Sequence, residues 1–223
     1  MDISGQTGQL QKELLALNKQ LLQLSAMVEK RVRTATEIIK SRNIDQVDAL
    51  ITSDQEVDDM EVAIEEHCMR ILALYHPMAS DLRFIVAVIK INSEMERIAD
   101  IAVGIAMRVQ NISKFHHPQS LTPFDFAPMS ERVLKMLKNS LDSLVNRDSK
   151  LAKSIFQDDD IVDNIRNDCY ENMKMRLMED PKHPGYYINT YLLSRHLERI
   201  ADRTVNIAED VVYLVEGKIT RFP

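Results

Sequence analysis

Apolar residues recur at three- and four-residue spacing along almost the whole chain. Leu10, Leu14, Leu17, Leu21, Leu24 and Val28 form one helical stripe, which continues through Val32, Ala35, Ile38 and Ile39. Ser41-Arg42-Asn43 reads as a tight turn, and Asp45 opens a second helix through Leu50, Val57, Ile64, Ile71 and Leu72. Pro77 ends it, because proline lacks an amide hydrogen and clashes with the turn before it. A third helix is predicted from near Ser80 or Asp81 to about Ile112. Residues 114–128 contain Pro118, Pro123 and Pro128 and read as a linker. The plan then repeats. Val133, Leu137, Leu141 and Leu144 make a stripe, Asn146-Arg147-Asp148 a turn, and a helix follows from about Ser149 to Met178. Pro181, Pro184 and Gly185 interrupt it, and a last helix runs from about Tyr187 to Val215 with Gly217 as its C-cap. The expected fold is all-α, with six helices arranged as two tandem three-helix bundles over residues 1–113 and 129–223, joined by 114–128.

The two halves also agree residue by residue. Glu96-Arg97-Ile98-Ala99-Asp100 recurs as Glu198-Arg199-Ile200-Ala201-Asp202, an offset of 198 − 96 = 102. Val103, Ile105 and Ala106 recur as Val205, Ile207 and Ala208. Asp54 and Asp58 correspond to Asp159 and Asp163, an offset of 159 − 54 = 105. Each half is therefore one three-helix unit with an acidic pair on its second and third helices.

Residues four apart share a helix face, so each pair sets two like charges side by side and destabilises an isolated helix by a few tenths of a kcal/mol, roughly. Water, a nearby lysine or arginine, or a cation must offset this. Helical phase places Ile91, Met95, Ile98, Ala102, Ile105 and Val109 on the core seam of the third helix, and Lys90, Arg97 and Arg108 on one flank. Glu96 and Asp100 fall roughly opposite the seam, among Ile89, Ala99, Val103 and Met107. On the last helix Glu198, Asp202 and Glu209 share a face with Tyr191, Ala201, Val205 and Val212. Carboxylates among apolar residues are rarely left bare. Carboxylate-only ligation suits Mg²⁺, Mn²⁺, Ca²⁺ or iron. The candidate ligands are Asp54, Asp58, Glu96, Asp100, Asp159, Asp163, Glu198, Asp202 and Glu209. Structural salt bridges are the competing explanation.

Composition narrows the field. Lys+Arg total 28 and Asp+Glu 34 in 223 residues, a formal net charge of −6, so the chain as a whole is not a basic nucleic-acid binder. Only 5 glycines and 7 prolines fit long helices rather than a turn-rich β fold. Cys68 and Cys169 lack a CxxC spacing and read as buried helix residues. No signal peptide is visible at the N-terminus, and apolar stretches such as residues 84–91 are too short to span a bilayer. The expected location is the cytoplasm. No Walker loop, GxSxG, HExxH or Glu-x-x-His pair occurs, which leaves no recognisable catalytic constellation.

These residues carry a resemblance. Leu74-Tyr75-His76-Pro77-Met78-Ala79-Ser80-Asp81-Leu82-Arg83, Met95 through Asp100, Leu197 through Asp202, and Asn206 through Tyr213 with Glu216-Gly217 resemble the PhoU family of bacterial phosphate-signalling proteins. The resemblance covers nearly the whole chain. It implies two three-helix bundles and a cytoplasmic protein, peripheral to the membrane through partners, that negatively regulates phosphate uptake and the phosphate-starvation response. The implied partners are the ATPase subunit of the phosphate ABC transporter and the phosphate-sensing histidine kinase, with homodimers common. It also implies multinuclear metal clusters at the acidic motifs, as in some members of the family, so the cofactors to consider are iron, manganese, zinc or magnesium. The sequence departs from the family pattern at Ala99 and Ala201, where glycine is usual, and at Arg203, where histidine is usual. Gly104 stands where the other repeat has Asn206, so the first acidic site is expected to have less support from neighbouring side chains. A metal-dependent hydrolase or redox protein, and a purely structural helical scaffold, are the alternatives to an adaptor.

Overall fold

In the computed structural model, which describes residues 3–53, 55–115 and 124–221, every regular element is a helix. Helices α1 (Ile3–Ser41), α2 (Ile44–Thr52), α3 (Gln55–Tyr75) and α4 (Ala79–Ser113) build the first repeat. Helices α5 (Ala127–Asn146), α6 (Ser149–Ser154), α7 (Phe156–Glu179) and α8 (Pro184–Glu216) build the second. The six-helix plan holds, with the second and fifth rods each broken once. Hydroxyl side chains mark both breaks: Ser53 Oγ donates to the Leu50 carbonyl, and Ser154 Oγ to the Leu151 carbonyl. Such bonds compete with the helical ladder. At the second break the backbone tightens, with the Ile155 amide bonding Ala152 three residues back.

The turns repeat as faithfully as the helices. Arg42 (φ 53°) and Arg147 (φ 50°) each take the left-handed conformation after a long helix. Asn43 then caps α2, its side chain accepting from the Asp45 and Gln46 amides, and Asp148 caps α6 through the Lys150 and Leu151 amides. Two proline positions read as breakers or linker are instead helix starts. Pro128 lies in the first turn of α5 and Pro184 opens α8, where a missing amide hydrogen costs nothing. Gly217 ends α8 at φ 72°, as its position suggests. Residues 116–123 of the expected linker, with His116 and His117, lie outside the described residues.

The core runs without interruption through both repeats. The predicted seam of the first-repeat helix is buried from Ile91 to Val109, and Leu17, Leu21, Leu24, Val133 and Leu137 join the same apolar cluster. Helices α4 and α8 pack most extensively of all and run antiparallel. Lys90 Nζ meets Asp210 Oδ1 at 2.9 Å, Asn206 donates to Glu94 at 3.1 Å, and Arg108 donates to Asn189 at 3.3 Å, the partner number falling as the first rises. No described helix is long and apolar enough to cross a membrane.

Candidate functional site

Helices α3 and α4 of the first repeat pack together and bring carboxylates to one place. Asp58 comes from the first turn of α3, and Glu96 and Asp100 from successive turns of α4. One oxygen from each lies within 4.8 Å of the others. Glu61, three residues after Asp58, joins their field. Burial raises the pKa of Glu96, and Asp100, Glu61 and Asp58 raise it further, with only Arg97 opposing. Burial also raises that of Glu61, helped by Glu65 and Asp58. Asn92, one turn before Glu96 and 1 % exposed, donates to the carbonyl and carboxylate of Glu61 at 2.9 and 3.2 Å. Its Oδ1 is buried with no hydrogen-bond donor. Asp54 lies outside the described residues.

The second repeat places Asp159 and Asp163 on α7 and Glu198 and Asp202 on α8. Burial pushes Asp159 up to about 6, with Asp202, Asp163, Asp160 and Glu198 adding to it. Burial and then Asp163 raise Asp202, against Arg203, Arg195 and Arg166. Glu198 is 7 % exposed and is also raised by burial and Asp202, against Arg195 and Arg166. Arg195 donates to Glu198 Oε1 at 2.8 Å, while Arg166 stands 3.7 Å from the same oxygen and 3.6 Å from Asp163. Glu198 Oε2 is buried without a donor. Among the described residues, only the first cluster brings three carboxylates within 4.8 Å. Glu209, two turns after Asp202 on α8, pairs with the Arg221 guanidinium of the C-terminal tail.

The donor set fits a hard cation. All the converging atoms are carboxylate oxygens, which magnesium, manganese and iron accept. The buried oxygens of Asn92 and Glu198 lack donors, as oxygens awaiting a cation or a bridging water would. The cysteines are elsewhere and inert: burial pushes Cys68 up to about 12 and Cys169 to about 11. A cavity of about 410 Å³ between α1, α4, α5 and α8, lined by Ile39, Val109, Phe126 and Leu193 among others, includes none of the clustered carboxylates.

Two of the three basic residues on the flank of α4 face the other repeat. Lys90 and Arg108 reach across to α8, and Glu94 between them receives Arg97, Arg203 and Asn206. Asn206 therefore spends its amide between the repeats, away from the acidic clusters. Gly104, its counterpart, sits against the His196 ring, where a Cβ would lie 3.1 Å from Cε1. The Gly104 and Asn206 difference consequently says little about support for either acidic site, which corrects the expectation drawn from sequence. Three residues escaped the sequence reading: Glu61, Arg166 and Arg195. Glu61 was detectable at i+3 from Asp58, but only packing shows the arginines turned onto Glu198.

A family model described as "PhoU domain" matches residues 21–109 and 126–211, once in each repeat. The chain is 34 % identical over 210 residues to an Aquifex aeolicus "Phosphate-specific transport system accessory protein PhoU homolog", covering 94 % of each. It is 30 % identical over 213 residues to the Escherichia coli K12 "Phosphate-specific transport system accessory protein PhoU", covering 95 % of this chain and 87 % of that one. The crystal structure of PhoU from Pseudomonas aeruginosa superposes with a TM-score of 0.87 at 33 % identity, covering 93 % of this chain and 99 % of that chain. The phosphate transport system regulatory protein PhoU from Streptococcus pneumoniae superposes with 0.84 at 28 %, covering 96 % and 100 %.

Proposed function

Because the chain belongs to the PhoU family, matched in both of its repeats, we propose that it is an accessory regulator of phosphate transport whose two acidic faces carry cations. Its relatives are named as accessory proteins of the phosphate-specific transport system. By that kinship it dampens phosphate uptake and phosphate-starvation signalling. Its partners on this reading are the transporter's ATPase subunit and the phosphate-sensing histidine kinase, and it works from the cytoplasm, as a homodimer.

The observation that carries the cation reading is the convergence of Asp58, Glu96 and Asp100 from two different helices. Asp58, Glu61, Glu96 and Asp100 would hold a cation in the first repeat, and Asp159, Asp163, Glu198 and Asp202 in the second. A bound cation supplies positive charge where burial and mutual repulsion otherwise hold carboxylate pKa values up. The protein's own part is mechanical. Asp58 belongs to α3, while Glu96 and Asp100 belong to α4, so ligation ties the two helices together across their outer groove. The same logic ties α7 to α8. An outer face fixed this way presents a defined shape to a partner, whereas repelling carboxylates leave it free to splay. Glu96 and Asp100 lie only four residues apart on a single helix, so the tie depends on Asp58 and Glu61 from the neighbouring α3.

Pull-down of the transporter ATPase and the kinase sensor from phosphate-replete extract tests the reading. The wild-type chain is expected to retain at least one of them, and Glu96→Gln/Asp100→Asn to retain markedly less. Equal retention by both proteins would detach the acidic face from partner binding. Turnover of phosphoesters with Mn²⁺, Mg²⁺ or Fe²⁺, lost in the same variant, would favour the hydrolase reading instead.

A further inference from the structure

The two acidic clusters differ at positions that the internal repeat makes equivalent. The offset of 105 that relates Asp58 to Asp163 also relates Glu61 to Arg166. The offset of 102 that relates Glu96 to Glu198 also relates Ser93 to Arg195. Where the first repeat has an acid and a hydroxyl, the second therefore has two guanidinium groups. Both arginines point at the same carboxylate: Arg195 bonds Glu198 Oε1 at 2.8 Å, and Arg166 Nε lies 3.7 Å from that oxygen. The Arg166 contact is loose, since its Nε is buried without a hydrogen-bond partner. Glu198 Oε2, on a residue 7 % exposed, has no donor at all.

Resting on the cation reading above, we infer that the clusters are unequal sites, a strong one at Asp58, Glu61, Glu96 and Asp100 and a weak one at Asp159, Asp163, Glu198 and Asp202 that Arg166 and Arg195 hold back as resident counter-ions. A site's affinity for a hard cation rises with the number of anionic oxygens around it and falls with each fixed positive charge. Exchanging Glu61 for Arg166 alone changes the local charge by two units, and Arg195 adds a third. The bare Oε2 leaves one oxygen open, so the second cluster keeps a foothold for a cation without first releasing Arg195. Arg166, already short of hydrogen bonds, is the group that would give way on binding. The consequence is graded occupancy: the first repeat is filled at low cation concentration and the second only at higher concentration.

Manganese titration of the full chain, stripped of metal by chelation and followed by calorimetry, tests this. The wild-type protein is expected to show two classes of Mn²⁺ site. Glu96→Gln/Asp100→Asn removes the tighter class, and Glu198→Gln/Asp202→Asn the weaker. Arg166→Glu, which installs the residue of the first repeat, tightens the weaker class by roughly tenfold or more. Glu61→Arg, the reverse exchange, weakens the tighter class by a similar factor. Arg195→Gln acts on the same carboxylate from α8 and covers the case in which Arg166→Glu folds poorly, which circular dichroism would reveal. Equal affinities at the two clusters, unmoved by these exchanges, would overturn the inference and leave the cation reading standing. No Mn²⁺ binding in the wild-type chain or in Arg166→Glu would overturn both.

Discussion

At the scale of single residues, the acidic clusters are held in a state that costs stability at neutral pH. Burial and neighbouring acids push Asp159 up to about 6 from an ordinary 3.8. A carboxylate raised on folding opposes the folded state once it ionises. Its penalty is absent below the unfolded value, grows as pH rises through the interval, and is complete above about 6. Asp159→Asn is therefore expected to raise the melting temperature in chelator at pH 7.5, with the gain fading as pH falls towards 4. In saturating Mn²⁺ the gain should vanish or reverse, because the cation then supplies the missing charge. Thermal melts across pH, with and without Mn²⁺, check this. The acids themselves were legible in the sequence, since repeat, order and spacing coincide at Glu96/Asp100 and Glu198/Asp202. Glu61 and the arginines were not, because helical phase orders residues around one helix and is silent on which groups a neighbouring helix turns towards them. Glu209 shows the same limit: it shares the predicted face of α8, yet the distant Arg221 claims it.

At the scale of elements, the fold depends on how α4 and α8 fit together. Phase correctly separated the apolar seam of α4 from its polar sides, and the six rods and their turns follow from stripes and caps visible in the sequence. What phase could not assign were the partners of the basic flank: Lys90 and Arg108 meet the other repeat, while Arg97 stays on Glu94 of its own helix. Gly104 is a close point of the contact between the repeats, with His196 filling the space a side chain would need. Burial pushes the His196 imidazole down to about 4, helped by Arg108 and Arg199, so the ring is neutral at physiological pH and acts by shape. Gly104→Asn is expected to cost about 1–3 kcal/mol through overpacking. His196→Ala in the same chain should recover much of that loss by vacating the space. Denaturant melts of the two single variants and the double variant would give the coupling; strict additivity would show that the two residues do not compete for one volume.

At the scale of the whole molecule, the repeats share one apolar cluster and a polar seam between α4 and α8. Calorimetry is expected to show one cooperative unfolding transition rather than two. Glu94 gathers Arg97, Arg203 and Asn206 from both repeats. Removing it strands partly buried donors, and Glu94→Ala should cost about 1–3 kcal/mol while leaving Mn²⁺ affinity unchanged. Two separate transitions in the wild-type chain would mean that the repeats fold independently. The central claim, however, is that the carboxylates of the outer grooves exist to hold cations. It is tested most directly by elemental mass spectrometry of protein purified without a metal-affinity tag, paired with melting before and after chelation. Iron, manganese, zinc or magnesium is expected to co-purify with the chain, to be reduced in Glu96→Gln/Asp100→Asn, and to carry thermal stability that chelation removes. A metal-free protein with the same melting temperature in chelator and in Mn²⁺ would contradict it, and would make the acidic faces partner-docking surfaces.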